Sequence, residues 1–231
     1  MARMASGMGG DAGCHAGIAA PTVRAWSAWD LATAAAMWGV MMVAMMLPVV
    51  SPWVLALSTA ARERAPRAAP FTDAGYFLCG YGAVWLGYSV LAAGGQLLLQ
   101  RAALLSQDWV TTSPWLAAGL LVIAGVYQWT PLRDACMTHC RSPFGFFPTS
   151  WREGRWGAFT MGARHGVYCV GCCWALMALS FVFGVMSLLW MAIVTAFLLL
   201  EKATSAGPWM SKAAGIGLAA VAVWMVGRAA L

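Results

Sequence analysis

Sulfur and imidazole are concentrated at two places in this 231-residue chain. Cys136-Met137-Thr138-His139-Cys140 forms one cluster, and His165, Cys169, Cys172 and Cys173 form the other. Every histidine lies within four residues of a cysteine, the third being in the pair Cys14-His15. Thiolate, imidazole and thioether are the soft and borderline ligands that select Cu(I) or Zn(II) over hard cations. If 161–173 is helical, His165, Cys169, Cys172 and Cys173 fall within a sector about 100° wide, with Met161 on the same side. Residues 136, 139 and 140 likewise share a face if a helical turn continues past Pro131. Two such faces, one at each end of the same segment, can close on a single ion. Packing is the competing reading, because cysteine is also a common small apolar residue in helix interfaces. For Cys79 and for Cys14-His15, packing is the better one.

A second feature lies upstream. Five of the ten residues from Met37 to Met46 are methionine. Met37, Met41 and Met45 form an i, i+4, i+8 row, and Met42 and Met46 form another beside it. Flexible core filler is the plain explanation, and methionine suits it. Depth offers another. Met46 lies about six residues, roughly 9 Å, from Pro52, and Cys172 lies seven residues, roughly 10 Å, past His165. Thioethers and thiols then meet at one depth, where Pro48 and Pro52 are expected to break the helix and loosen backbone carbonyls.

What must position these groups is a membrane bundle. Hydrophobic residues make up 61% of the chain, charged ones 10%, and the mean hydropathy is +0.72. Soluble domains carry about 25% charge. Apolar runs of about 20 residues, enough to cross about 30 Å of hydrocarbon, account for most of the sequence. Six are expected, near Leu31–Trp53, Phe77–Leu98, Pro114–Trp129, His165–Phe183, Met186–Leu200 and Lys212–Val226, giving an all-α polytopic transmembrane bundle. Residues 1–28 read as a flexible tail without a signal-peptide pattern, and 29–231 as one transmembrane domain. The fourth and fifth runs together are too long for one crossing, and Phe183–Ser187 offers a turn, either as a hairpin or as a re-entrant kink. Thr130–Arg164 is expected to be a long loop, and a loop of that length is more often functional than idle. Trp29, Trp53, Trp115, Trp129, Trp209 and Trp224 stand where an interfacial belt belongs.

The net charge of +6 does not make a nucleic-acid binder, since the basic residues are scattered through loops. They work better as orientation charge. Ten lysines and arginines fall in the odd-numbered loops against four in the alternate segments, which puts the odd loops in the cytoplasm and both termini outside. Arg133, Arg141, Arg152 and Arg164 read as anchors of that kind, and Glu201-Lys202 as an anchor ending span five. Asp134 is a solvated carboxylate that lies near enough in sequence to orient His139. There is no Cys-x-x-Cys-His, no His-Glu-x-x-His and no phosphate loop, so haem attachment, zincin and nucleotide chemistry have no footing.

Four stretches together resemble a known family: Met41-Met42-Val43-Ala44-Met45-Met46-Leu47-Pro48; Cys136 to Pro143; Gly162 to Met177 with its Cys172-Cys173-Trp174; and Leu189-Trp190-Met191 with Glu201-Lys202. The family is a bacterial one of metal-binding integral membrane proteins, whose members are sometimes labelled copper chaperones. The resemblance implies a multi-pass inner-membrane protein that binds a metal, copper first. The tail and span two carry none of it.

The combined expectation is Cu(I) handling at the cytoplasmic end of the bundle, with zinc as the second candidate metal. Cys169, Cys172 and Cys173 are the principal ligands, joined by His165, Cys136, His139 and Cys140. Met41, Met42, Met45 and Met46 are transient ligands along an approach. The partners are the lipid bilayer and a metal donor or acceptor protein, and the task is to hold or pass metal without catalysing a reaction. Two alternatives stay open. One is a membrane thiol-disulfide oxidoreductase using Cys169 and Cys172, and the other is a non-catalytic membrane subunit.

Overall fold

The computed structural model describes residues 27–64, 70–106, 109–141 and 151–229. These fold as α1 (Ala28–Arg64), α2 (Pro70–Arg101), α3 (Pro114–Tyr127), α4 (Pro131–Arg141), α5 (Gly154–Ala178), α6 (Ser180–Phe183), α7 (Leu188–Ala203) and α8 (Gly207–Ala229). Among the described residues the only extended pairing is an isolated bridge between Leu105 and Thr111. All six expected apolar segments are largely helical, although Trp129 and Met186, at the ends of the third and fifth, lie in turns. Four helical stretches, 28–60, 73–101, 154–183 and 207–229, are long and apolar enough to cross a membrane. A fifth is the pair α3 and α4, bent by 64° at residues 128–130, if the two count as one span. α7, at 16 residues, is about 24 Å long and falls short of the thickness of the apolar layer.

Several boundaries differ from the hydropathy reading. α1 does not stop near Trp53 but runs unbroken through Pro48 and Pro52 to Arg64. Pro52 has no N–H to offer the carbonyl of Pro48, and the Ser51 hydroxyl donates to that oxygen instead at 2.8 Å. A side-chain hydroxyl thus replaces the missing backbone donor, as in other proline-bearing membrane helices. Most of the expected loop Thr130–Arg164 is helical too. Its start is α4, and its end is the first eleven residues of α5. Arg155 and Arg164 marked that end as a loop, but Arg155 lies 5.8 Å over the Tyr76 ring and Arg164 reaches the Tyr168 hydroxyl. A helix keeps its register while long basic side chains lean away from the apolar surface. The turn expected after Phe183 is present. Gly184, at φ +101°, takes a backbone conformation that a side chain would strain, and Ser187 then caps α7.

The widest interfaces join α2 to α5, α1 to α2 and α3 to α8. Between α2 and α5 the backbones nearly touch. A Cβ on Gly162 would run into the carbonyl of Phe77, and one on Gly80 into that of Phe159. Membrane helices associate through such small-residue contacts, because lipid gives apolar side chains no reason to leave it. This contact fixes α5, and with it the cysteine face, against α2. Trp53 departs from the expected belt. It is buried at 3% exposure, whereas Trp29, Trp115, Trp129, Trp209 and Trp224 are all more than half exposed. Gly162→Ala should cost about 1–3 kcal/mol, the range for overpacking a filled interface, read as a lower thermal midpoint in detergent. Gly87→Ala, where nothing lies within 4 Å of the added carbon, should leave the midpoint in place.

Candidate metal centre

On α5, one face carries His165, Cys169, Cys172 and Cys173, all buried. α4 lies across that face and contributes Cys140, which is fully buried. The sulfurs of Cys140, Cys169 and Cys172 lie within 4.8 Å of one another. An ion bonded to sulfur at about 2.3 Å needs sulfurs about 4.0 Å apart in a trigonal site and about 4.6 Å apart in a linear one. Closing the trio on an ion therefore takes small side-chain adjustments and no helix movement. Cys173 is buried beside the trio without belonging to it, and its thiol donates to the Cys169 carbonyl at 2.9 Å, as the Cys172 thiol does at 3.1 Å.

Three groups from other helices close around the sulfurs. Lys202 of α7 donates to Cys169 Sγ at 3.6 Å. Tyr81 of α2 places its hydroxyl 3.3 Å from the same sulfur. Trp53 of α1 donates to the Cys140 carbonyl at 3.2 Å. Trp53 also stacks on His165 at 3.9 Å between ring centroids, with Tyr81 and Phe77 farther out at 5.6 and 6.0 Å. His165 thus sits in an aromatic stack one helical turn before Cys169.

α4 is held in place by buried charge. Arg133 and Glu201, at 0% and 1% exposure, form an ion pair, and Ser211 of α8 donates to the same carboxylate oxygen. At the other end of α4, Arg141 donates to the carbonyl of Thr204. Two expectations change here. Arg133 is an internal ion-pair partner, not a surface anchor, and Glu201 belongs to the core, not the interface. Consecutive residues on a helix diverge by about 100°, so Glu201 faces Arg133 while Lys202 faces the cysteines. An acid and a base adjacent at the end of an apolar run was the available signal. Tyr81 had none, being one aromatic among many.

The remaining candidate residues are dispersed. Cys136 is half-buried, with its sulfur against Gly171. His139 is exposed and stacks on Tyr168 at 4.5 Å, away from the trio. Met41, Met42, Met45 and Met46 are all buried in the core. Met42 and Met46 line a cleft of about 180 Å³ together with Tyr81 and Trp85. Cys79 is exposed on α2. Cys14 and His15 lie outside the described residues. The depth estimate also shifts, because α5 begins at Gly154 and His165 is not its first turn. Depth is better measured from the α6–α7 turn. Cys169 lies fourteen residues before Phe183 and Lys202 fourteen after Leu188, so both stand about 21 Å from it, level with the end of α7.

A family model described as copper chaperone, PpoB2, matches residues 35–225. The chain belongs to this copper chaperone family. The matched range contains the methionine row, both cysteine clusters and the Arg133–Glu201 pair. Neither the curated proteins nor the solved structures yield a match. A membrane-type helical bundle in this family, with three buried cysteines converging, is built to handle metal.

The buried pair makes its own prediction. Removing one partner of a buried ion pair strands the other, at a cost of about 3–5 kcal/mol. Arg133→Met and Glu201→Gln should each destabilise the protein on that scale. The double variant should lose much less than their sum in a thermal-unfolding double-mutant cycle.

Proposed function

We propose that this chain holds Cu(I) in the bacterial inner membrane and passes it to or from a partner, using Cys140, Cys169 and Cys172 as the holding ligands. The convergence of three buried sulfurs from two helices carries the reading. Three soft donors with no carboxylate among them suit Cu(I), whereas structural zinc prefers four ligands in a tetrahedron. Charge supports it as well. Three thiolates around Cu(I) leave two negative charges in a medium that stabilises charge poorly. Lys202 offsets one of them, and the Arg133–Glu201 pair adds no net charge. With Arg133 and Lys202 set aside as partners inside the bundle, eight basic residues against four still favour the cytoplasmic side for the end of α7, where reduced copper is carried by thiols.

Reconstitution of the detergent-solubilised full-length protein with Cu(I), under reducing conditions and in competition with a chromogenic Cu(I) chelator, tests the reading. The wild type should retain copper, and Cys140→Ser, Cys169→Ser and Cys172→Ser should each surrender it. Equal copper in all four proteins would end the proposal. Lys202→Met should lower affinity by about ten- to a hundredfold, the range for groups that support metal ligands, and Lys202→Arg should restore most of it. The same sulfur proximity favours one second reading, thiol-disulfide exchange. It would show itself as a disulfide within the trio that cycles with added quinone while no copper is retained.

A further inference from the structure

Burial along one turn of α4 is graded. His139 is exposed, Cys136 is half-buried and Cys140 is fully buried. Each meets a different part of α5. His139 stacks on Tyr168, Cys136 packs against Gly171, and Cys140 joins Cys169 and Cys172. We propose that α4 is a transfer ladder, on which Cu(I) from a thiol carrier is met by His139, relayed by Cys136 and delivered to the buried trio. The inference rests on the holding site proposed above and adds the route and the class of partner.

The imidazole of His139 is set for this task. Its Nδ1 lies 2.9 Å from the carbonyl oxygen of Ala135. A carbonyl only accepts, so Nδ1 carries a proton, and in the neutral imidazole Nε2 keeps its lone pair. That is the arrangement in which ligating histidines are held. Cys136 is next inward. A Cβ on Gly171 would stand 2.7 Å from the Cys136 sulfur, so only glycine lets the thiol lie against α5 at that level. Gly171 immediately precedes Cys172, and its carbonyl accepts from the Tyr127 hydroxyl, which fixes the backbone there. Cys136 thus lies against α5 at the residue that precedes a holding cysteine.

Each transfer is a ligand exchange. At entry the His139 Nε2 lone pair bonds to Cu(I) while the carrier sulfur still holds it. The Cys136 sulfur then bonds, the bond to the carrier sulfur breaks, and the Cys136 proton goes to the carrier, which departs as a free thiol. As the trio sulfurs bond, His139 and Cys136 let go, Cys136 takes a proton back from one arriving thiol, and the other thiol protons go to solvent. No electron moves, and the oxidation state of copper is unchanged.

A relay ligand lowers the barrier in both directions, so its loss slows uptake and release by the same factor. A holding ligand affects mainly release. Cu(I)–glutathione supplies copper to the full-length protein, and a water-soluble Cu(I) chelator withdraws it, each followed by stopped flow. Cys136→Ser and His139→Ala should slow both processes by at least about tenfold, within the span over which association rates vary among variants of one surface. Gly171→Ala, which displaces the Cys136 sulfur without removing it, should reproduce the Cys136→Ser rates. Unchanged rates in both ligand variants, with normal uptake by the wild type, would overturn the ladder alone. So would faster release with unchanged uptake, which marks a holding ligand. A wild type that takes up no Cu(I) from glutathione overturns the ladder, and one that also retains none on reconstitution removes the holding site with it.

Discussion

Inside an apolar layer no water is available to a charge or a hydrogen-bonding atom, so each must find its partner in the protein. Much of this molecule follows from that condition. It explains why the described chain is almost wholly helical. It also explains why the Ser51 hydroxyl turns back to the Pro48 carbonyl and why the Trp53 indole reaches the carbonyl of Cys140. The strongest expression is the Arg133 guanidinium, held by Glu201 with Ser211 at the same oxygen. That pair is costly to bury and more costly to break, and the position of α4, with Cys140 on it, depends on it.

The sulfur cluster is assembled by two different kinds of contact. α5 is seated against α2 by backbone proximity at Gly80 and Gly162, a contact of shape that leaves little freedom to slide. α4 is seated by charge and hydrogen bonds at its two ends. Shape fixes three cysteines and charge brings in the fourth, so the cluster forms only when both interfaces are made.

The helical class, the apolar segments and the turn after Phe183 were legible in the sequence, because hydropathy and glycine placement act locally. The shared face of His165, Cys169 and Cys172 was legible too, since it needs only the helical period. Charge misled where it was taken as a boundary. Arg155 and Arg164 lie on a helix that continues past the apolar run, and Arg133 and Glu201 found each other across 68 residues of chain. No local pattern distinguishes an arginine that faces water from one that faces a buried acid. His139 and Cys140 are neighbours in sequence, yet one is exposed and the other buried, because the orientation of α4 is decided by its ends.

The adjacency of Glu201 and Lys202 makes α7 a keyed shaft. One tooth engages the scaffold through Arg133, and the next engages the sulfurs through Cys169. Rotating the shaft to adjust either engagement disturbs the other, so the setting of Lys202 on the sulfurs and the grip on the neighbouring helices are linked. A short helix that spans too little of the bilayer to anchor itself by greasiness alone thereby gains a fixed angular setting.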